Sequence, residues 1–320
     1  MNLTTDNYYS QEADWAYMSC SQYQSFQECE AKAMAKLEGR WVDDDNKAFI
    51  IGNYFHTHFE GPEAHKKFCD DHFEDIYRTK TTKARGFEIV GKYSDYETAD
   101  KMIAVAERDP LIKALIKMPG EHEKIMTGEI FGVPWRSRLD KYVPDGRVII
   151  DWKTTKNIWE TSYNPTLKER ETFIETYGYL MRAAVYTEIE KQFSGQDTDA
   201  QFIIVAISKQ DPPDKEALLL NHRQRYDLEL EQIKENLWNI TQIKSGSRKP
   251  RRCGYCDYCR ATKILYQIKP YYKLAPEYRE GREEENECNS TGTVLEETPE
   301  AGTVEHLPAM PQAAEMAENI

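Results

Sequence analysis

The sequence predicts an α/β fold in which a central mixed sheet is flanked by helices. Several segments carry apolar residues at three- and four-residue steps, as amphipathic helices do, and others are short runs of alternating or continuous apolar residues, as strands are. Their order along the chain is helices, strands, then helix, strand and helix. With 320 residues and a hydrophobic content of 40%, the chain can bury a substantial core between these layers.

The helical pattern is clearest in the last of these segments. Tyr226, Leu230, Ile233, Leu237 and Ile240 follow one another at three- and four-residue steps. Side chains at these steps lie on one face of a helix, so the segment should bury an apolar stripe. The same kind of pattern predicts helices over residues 21–38, 47–59, 96–116, 173–192 and 222–243.

The predicted strands include a hairpin. Residues 130–143 alternate as a half-buried strand does, and Val148-Ile149-Ile150 is a short, fully apolar run. Pro144-Asp145-Gly146 lies between them and supplies a turn. Strands are therefore expected over residues 123–130, 133–143, 148–153 and 201–208.

Two carboxylates and a lysine lie at the ends of the hairpin strands. Asp140 ends one run, Asp151 ends the next, and Lys153 follows two residues later. The ends of adjacent strands are neighbours, so both acids could share one divalent cation, and their oxygen ligands suit Mg²⁺ or Mn²⁺. Lys153 should point to the same face as Asp151, because side chains alternate along a strand. D-x-K alone is a common tripeptide at strand ends, so its context matters.

Three cysteines lie within seven residues near the end of the foldable chain. Cys253, Cys256 and Cys259 are separated by two-residue gaps and need a fourth ligand if they bind a metal. A Cys₄ site suits either zinc or an iron–sulfur cluster. Unliganded thiols are the alternative interpretation, and the close spacing disfavours it.

These motifs resemble those of the PD-(D/E)xK nuclease superfamily. Asp140 matches the first acid of the signature, and Asp151-x-Lys153 matches its second part. The resemblance implies a restriction-endonuclease-like core, with the backbone carbonyl of Trp152 as a further metal ligand. Gly52-x-x-x-His56 is similar to an element of the RecB and RecE nucleases, which implies that His56 is another ligand. His58 lies two residues away and cannot share that face of a helix.

The segment S-x-[aromatic]-x-x-F-x-x-C that ends at Cys29 resembles the N-terminal cluster segment of RecB/AddB-type nucleases. In those families, one early cysteine joins three late ones around a 4Fe–4S cluster and clasps the two ends of the domain. The resemblance therefore implies that Cys29 completes the set of Cys253, Cys256 and Cys259. The last gap is shorter here than is common in those relatives, which leaves zinc as the alternative metal.

Three further residues match family positions less closely. Arg182 stands where the related nucleases often carry glutamine, and Tyr186 matches their tyrosine four residues later. Arg182 could contact a DNA phosphate through its guanidinium or be a solvated surface residue. Glu129 matches a frequent glutamate, so it is either a third acidic ligand acting through water or a strand-end surface charge.

Overall, the resemblance covers residues 7–266 and is closest to the phage-type exodeoxyribonuclease VIII-like (RecE-like) proteins. It implies a Mg²⁺-dependent exonuclease that acts on linear duplex DNA in phage-type recombination or repair. A single-strand annealing recombinase is the implied protein partner, and a homo-oligomer is left open. The alternative is a non-catalytic DNA-binding or scaffold protein that has a nuclease-like fold and a structural metal site.

Composition and charge add two expectations. The net charge is −13, but residues 275–320 hold twelve acidic residues and two arginines, so only three net negative charges remain on the body. We expect a nuclease domain over residues 1–272 and a disordered acidic tail over 273–320. Basic runs at residues 80–85, 136–141 and 244–260 could form a positive rim for DNA or could be solvated faces.

The sequence also bears on the cellular compartment. No run of eighteen apolar residues is present, and the N-terminal segment lacks the apolar region of a signal peptide. Clustered rather than dispersed cysteines favour metal ligation over disulfides. A cytoplasmic protein with no membrane partner is therefore expected, with Cys20, Cys69 and Cys288 as free thiols.

Overall fold

A computed structural model describes residues 1–43, 47–83, 86–165, 167–266, 268 and 270–274. Most of the predicted acidic tail, together with Cys288, lies outside the described residues. The helices are α1 (Gln11–Ala16), α2 (Cys20–Glu28), α3 (Glu30–Leu37), α4 (Lys47–Glu60), α5 (Pro62–Asp71), α6 (Phe73–Ile76), α7 (Ser94–Arg108), α8 (Pro110–Lys117), α9 (Phe173–Thr176), α10 (Tyr179–Ser194), α11 (Arg223–Lys244) and α12 (Asp257–Ala261). The strands are β1 (Tyr77–Thr82), β2 (Gly86–Lys92), β3 (Glu121–Ile130), β4 (Val133–Val143), β5 (Val148–Thr155), β6 (Ser162–Asn164), β7 (Glu169–Glu171), β8 (Gln201–Ser208) and β9 (Lys215–Leu220).

The central sheet has five strands in the order β3-β4-β5-β8-β9. Strand β5 runs parallel to β8, and the other neighbouring pairs are antiparallel. The prediction of a mixed α/β sheet flanked by helices is therefore confirmed. Strand β8 has the predicted bounds, and a turn follows Pro144, whose carbonyl accepts a hydrogen bond from the Arg147 amide at 3.2 Å.

Helices cover both faces of this sheet. Ile149 packs into a core with residues of α2, α3, α10 and α11, whereas its neighbour Ile150 packs into a second core with residues of α4, α7 and α8. Successive side chains of a strand point to opposite faces, so a strand buried on both sides must be apolar throughout. Val148, Ile149 and Ile150 form a continuous apolar run because the start of β5 is buried on both faces of the sheet.

Three predicted helices are each broken in two. The segment 21–38 is interrupted at Cys29, whose backbone is extended (φ −163°, ψ 104°). The segment 96–116 breaks at Asp109, whose carboxylate caps the amides of the new helix that Pro110 begins. The segment 173–192 breaks at Gly178, which has a φ of +65°, and an added Cβ there would lie 2.4 Å from Gln24 Nε2.

Sequence periodicity also missed short elements at the periphery. The hairpin of β1 and β2, the hairpin of β6 and β7, and the edge strand β9 were not predicted. Their side chains are largely exposed or only half-buried, so they lack the apolar pattern that marks a core strand. Within the described ranges, no helix combines the length and apolar composition needed to cross a membrane.

Candidate metal centre and cysteine cluster

The two predicted acids lie where β4 and β5 separate. Hydrogen-bonded pairing between these strands runs from Val143↔Val148 to Lys141↔Ile150 and stops there. The next residues are Asp140 and Asp151. The Trp152 amide turns toward β4 and donates a hydrogen bond of 2.9 Å to Asp140 Oδ2. The end of the strand pairing thus creates a gap that is lined by both carboxylates.

Lys153 lies between the two acids. Its Nζ is 2.6 Å from Asp151 Oδ2 and 3.7 Å from Asp140 Oδ2, and it donates to the Trp152 carbonyl oxygen at 3.0 Å. The two-residue spacing in β5 explains why Lys153 and Asp151 share a face. The ammonium is therefore held beside both groups that would bind a cation.

Helix α4 brings a histidine to the same gap. His56 Nδ1 lies 3.3 Å from Asp140 Oδ2, whereas His58 turns away and contacts Glu107 at 2.8 Å. Burial lowers the pKa of His56 more than the nearby Asp140 carboxylate raises it, so the imidazole is neutral near pH 7. A neutral imidazole is the form that binds metals.

The carboxyl group of Asp140 is held ionised. Burial alone would raise its pKa, but the charge of Lys153, the charge that His56 carries at the acidic pH where Asp140 titrates, and the hydrogen bond from the Trp152 amide outweigh that effect and hold the pKa below its usual value. This environment keeps Asp140 in the form that coordinates a cation.

Arg182 and Tyr186 lie behind these acids. Arg182 Nη1 is 3.9 Å from Asp151 Oδ1, and the guanidinium lies over the rings of Tyr179 and Tyr186 at 5.9 and 6.0 Å from the ring centroids. Arg182 is therefore part of the acidic cluster rather than a solvated surface residue. Tyr186 is only 8% exposed and packs beneath Arg182, and the expected DNA-binding role of these two residues stays a prediction.

Glu129 lies outside the cluster, contrary to the prediction. It pairs with Pro134 at the far end of β3, six residues along β4 from Asp140, which corresponds to about 20 Å of extended strand. Its amide and carbonyl are hydrogen-bonded to the Gln192 side chain. The error arose because sequence order placed Glu129 near the Asp140 strand, whereas the antiparallel register places it at the opposite end.

The structure instead places Glu123 and Glu60 near Asp140. Glu123 lies across from Asp140 on β3, in a left-handed backbone conformation (φ +52°), and its Oε2 is 2.6 Å from Arg138 Nε. Burial raises the pKa of Glu123 to about 7, against the opposing effect of Arg138. Glu60 follows His56 by four residues on α4, a spacing that could have suggested it. The irregular register at Glu123 left no signal in the sequence.

The donor set fits a divalent cation. Asp140 and Asp151 offer carboxylate oxygens, and His56 offers a neutral nitrogen. Asp151 Oδ2 is buried and makes no hydrogen bond of acceptable geometry in the described part of the chain, although Lys153 Nζ is close. A buried carboxylate oxygen without such a bond is costly unless a cation binds it. Oxygen-rich sites of this kind suit Mg²⁺ or Mn²⁺.

The four predicted cysteines form a second cluster. The sulfur atoms of Cys29, Cys253, Cys256 and Cys259 all lie within 4.8 Å of one another. The helix break at Cys29 directs this sulfur toward the late cysteines, and the adjacent Ala31 amide donates to the Arg251 carbonyl at 2.9 Å. Segments more than 200 residues apart in the sequence thereby meet at one point.

Two of the distances between these sulfur atoms are close to those in a single tetrahedral site. The Sγ atoms of Cys29 and Cys259 are 3.7 Å apart, and those of Cys253 and Cys259 are 3.9 Å apart. With Zn–S bonds of about 2.3 Å, the edge of a ZnS₄ tetrahedron is about 3.8 Å. In a 4Fe–4S cluster, each thiolate binds a different iron, so the sulfurs must lie farther apart than they do here.

Local amides favour the thiolate form at one position. Burial raises the pKa of Cys253, but hydrogen bonds from the amides of Tyr255 and Cys256 outweigh that effect and lower it to about 7. The Cys259 amide likewise donates to Cys256 Sγ at 3.4 Å. Thiolate sulfur is the metal-binding form of cysteine.

Two of the three basic runs do not form a positive rim. Arg136 is buried and pairs with Asp14, and the buried Lys141 donates to the carbonyls of Leu115 and Ile116 at the end of α8. In the late run, Lys244 donates to the Asp14 carbonyl, and burial lowers its pKa to about 8. Arg248 and Arg251 contact Glu30, and Arg252 lies over the Tyr258 ring.

Comparison with known proteins agrees with this arrangement. The sequence profile of a family described as a PDDEXK-like domain of unknown function (DUF3799) matches residues 19–262. A crystal structure described as "Putative exonuclease" from Eubacterium rectale is similar with a TM-score of 0.75 and 32% identity, covering 86% of this chain and 99% of that chain. The structure of SSO0001 gives a TM-score of 0.27 at 12% identity over 78% of this chain and 96% of that chain. No curated protein sequence matches the chain.

The matched range contains His56, both acids, Lys153 and all four clustered cysteines. It spans most of the chain, and the chain accounts for nearly the whole of the Eubacterium rectale structure. The protein belongs to the family of PDDEXK-like domains described as DUF3799.

Proposed function

We propose that this protein is a divalent-metal-dependent nuclease that hydrolyses DNA phosphodiester bonds from the ends of linear duplexes. Family membership and the similar structure support the nuclease class. The observation that carries the proposal is the meeting of His56, Asp140, Asp151 and Lys153 where β4 and β5 separate. The proximity of Lys153 to both acids supports a catalytic role over the alternative of a non-catalytic scaffold.

Each residue has a distinct proposed role. Asp140, Asp151 and His56 would hold Mg²⁺ or Mn²⁺, which when bound makes water more acidic and neutralises phosphate charge. The Trp152 amide orients Asp140, and the Trp152 carbonyl is a further candidate ligand. Lys153 would orient the attacking water or stabilise negative charge on the phosphate. Arg182 lies beside Asp151 and would position it for cation binding.

The exonuclease step rests on the Eubacterium rectale structure's description and on the resemblance to RecE-like proteins. The test is incubation of purified protein and Mg²⁺ with linear and covalently closed duplexes of the same sequence. The expected result is digestion of the linear DNA to nucleotides and single strands while closed circles persist. Rapid cutting of closed circles would indicate an endonuclease, and intact DNA in both reactions would contradict the nuclease proposal.

For the cysteine cluster, we propose a structural metal that ties the two ends of the domain together. The sulfur spacing favours one tetrahedral zinc ion, whereas the family resemblance implies a 4Fe–4S cluster. Metal analysis of anaerobically purified protein separates these alternatives. One zinc per chain without acid-labile sulfide supports zinc, and brown protein containing iron and sulfide supports the cluster.

The biological setting is proposed from the resemblance alone. A role in phage-type recombination or repair, an annealing recombinase as partner and a homo-oligomeric assembly all belong to this part of the proposal. Co-purification with such a recombinase and the molar mass in solution are the corresponding measurements.

A further inference from the structure

The hairpin of β1 and β2 projects from the body of the protein. It forms its own two-stranded sheet, separate from the central one. The residues of β1 between its first and last positions are exposed, as are most of those of β2. A two-stranded hairpin has little stability of its own. The Phe87 ring lies near the body of the protein, with its centroid 6.3 Å from that of Phe73, yet it is 62% exposed.

The base of the hairpin is fixed to the helix that carries His56. The Tyr93 amide donates to the carbonyl of Ile76, a fully buried residue, which closes the base. Lys92 Nζ lies 2.7 Å from the Tyr54 hydroxyl and 2.6 Å from Asp100 Oδ2. Tyr54 is two residues from His56 on α4, so the base of the hairpin and the candidate metal centre are held by different faces of one helix.

One face of the hairpin is apolar at its centre. The cross-strand pairs Thr79↔Ile89 and Thr81↔Phe87 place two threonines and two large apolar residues side by side. Phe87 is 62% exposed and Ile89 is 52% exposed. Large apolar side chains at this exposure on a projecting element indicate a binding surface.

The same hairpin carries unpaired positive charge. Arg78 and Lys92 at its base pair with Glu97 and Asp100. Lys80 and Lys83, farther out, form no ion pair with any residue that the structure describes. The other two basic runs are largely engaged in contacts within the protein, as shown above. Exposed cationic and apolar groups therefore coincide on this element of a protein whose net charge is −13.

We propose that the β1–β2 hairpin is an arm that grips the DNA duplex beside the metal centre. The face with Phe87 and Ile89 would enter a groove. Lys80 lies on the opposite face, across from Glu88, and together with Lys83 would reach the backbone phosphates at the rim of that groove. A two-stranded ribbon fits the major groove, and a six-residue strand spans about 20 Å, or about six base pairs. This inference rests on the proposed function, because it assigns part of the substrate-binding surface of the same nuclease.

The test compares two charge-reversal variants. The first is Lys80→Glu with Lys83→Glu. Its control is Lys113→Glu with Lys117→Glu on α8, which changes the net charge equally at exposed positions elsewhere. Binding of a 30-base-pair duplex is followed by fluorescence anisotropy at several salt concentrations, without added Mg²⁺ and without a chelator that could remove the structural metal. The hairpin variant should bind at least about tenfold more weakly, and its salt dependence should fall by about two phosphate contacts. Equal weakening of both variants would overturn the inference.

A second variant tests the apolar face without changing charge. Phe87→Ala removes an exposed side chain, so folding should be preserved, and binding should weaken severalfold. The alternative is that this face binds a second copy of the chain. Light scattering tests this by measuring the molar mass of the protein in solution. If Phe87→Ala changes the oligomeric state and leaves DNA affinity unaltered, the arm is a subunit interface and the inference is wrong.

Kinetics separate this inference from the proposed function. With Mg²⁺ and linear duplex, the hairpin charge variant should raise KM at least fivefold while kcat stays within about twofold. If the hairpin charge variant is active and its KM is unchanged, the DNA-binding arm is overturned and the proposed nuclease function still stands. Hairpin-dependent DNA binding without any hydrolysis by the wild type supports the arm and contradicts the nuclease. A wild type that binds no duplex contradicts both.

Discussion

The carboxylates of Asp140 and Asp151 are held in place by different neighbouring residues. Asp140 is held by the Trp152 amide and His56, whereas Asp151 is 2.6 Å from Lys153 and lies in front of Arg182. Two buried carboxylates this close to one lysine and one arginine keep the site near charge balance without a cation.

The first prediction concerns these two acids. Asp140→Ala and Asp151→Ala should each lower the rate of DNA hydrolysis by about 10³-fold or more, because a missing metal ligand costs several kcal/mol of transition-state stabilisation. The matched control is Asp145→Ala, which removes an exposed carboxylate from the turn between the same strands. Activity is measured on linear duplex, and circular dichroism checks folding. Folded acid variants that match the control in rate would show that the site lies elsewhere.

The second prediction concerns the protonation of Glu123. Its folded-state pKa of about 7 lies above the ordinary value of 4.5, so the protonated carboxyl favours folding. This contribution is complete below about pH 4.5 and is lost as the pH rises through 7. Glu123→Gln should therefore raise the melting temperature of the metal-free protein at pH 8 and change it little at pH 5.

The expected gain at pH 8 is on the order of 3 kcal/mol, because the pKa rises from 4.5 to about 7 and each pKa unit corresponds to about 1.4 kcal/mol. Glu121→Gln on the same strand is the control, since Glu121 is exposed and pairs only with the nearby Lys124. A Glu123→Gln melting curve that follows the wild type at both pH values would contradict the assigned pKa.

At the scale of elements, the cysteine cluster joins the helix pair α2–α3 to the segment that leads into α12. The interruption of the helix at Cys29 positions the sulfur, and Glu30 receives hydrogen bonds from Arg248 and the Arg251 amide. Metal–thiolate bonds at this point would close a loop that contains the whole sheet. Metal binding and folding should therefore be coupled.

The third prediction follows from that coupling. Cys256→Ser should lower the bound structural metal and reduce the melting temperature by about 10 °C, while Mg²⁺ binding at the acids stays intact. Cys69→Ser, which removes a cysteine outside the cluster, should change neither quantity. The measurements are metal analysis and thermal melting of the same preparations. Unchanged melting of Cys256→Ser together with metal-free wild-type protein would eliminate the structural metal.

At the scale of the whole molecule, charge is distributed unevenly. Ten of the thirteen net negative charges lie in residues 275–320, whereas Lys80 and Lys83 are exposed on the β1–β2 hairpin. A strongly acidic segment repels DNA over a distance set by the Debye length, about 8 Å at physiological salt.

The fourth prediction is that deleting residues 275–320 strengthens DNA binding at low salt. The deletion changes the net charge from −13 to −3. Association with DNA should therefore be severalfold faster at 50 mM salt, and this increase in rate should shrink toward none at 500 mM salt. Stopped-flow fluorescence with a labelled duplex measures the association rate constant at both salt concentrations. A gain that persists at high salt would show that the segment acts by a means other than charge.

The sequence alone determined the parts of this protein that depend on local spacing. The hairpin with Asp140, Asp151 and Lys153 was predictable because strand side chains alternate with a period of two, and family spacing selected His56 over His58. The centre of the mixed sheet was predictable because β5 and β8 are buried on both faces and are therefore largely apolar. Peripheral strands and helix breaks were missed because exposed elements lack that pattern.

Only the tertiary structure decided which distant residues meet. The register of β3 excluded Glu129 and brought in Glu123, and the packing of α10 placed Arg182 beside Asp151 and buried Tyr186. The three basic runs are similar in sequence. Most basic residues of two of them contact partners within the protein, whereas Lys80 and Lys83 of the third are exposed. These outcomes depend on strand register and on packing between segments that are far apart in the chain, and local periodicity carries no information about either.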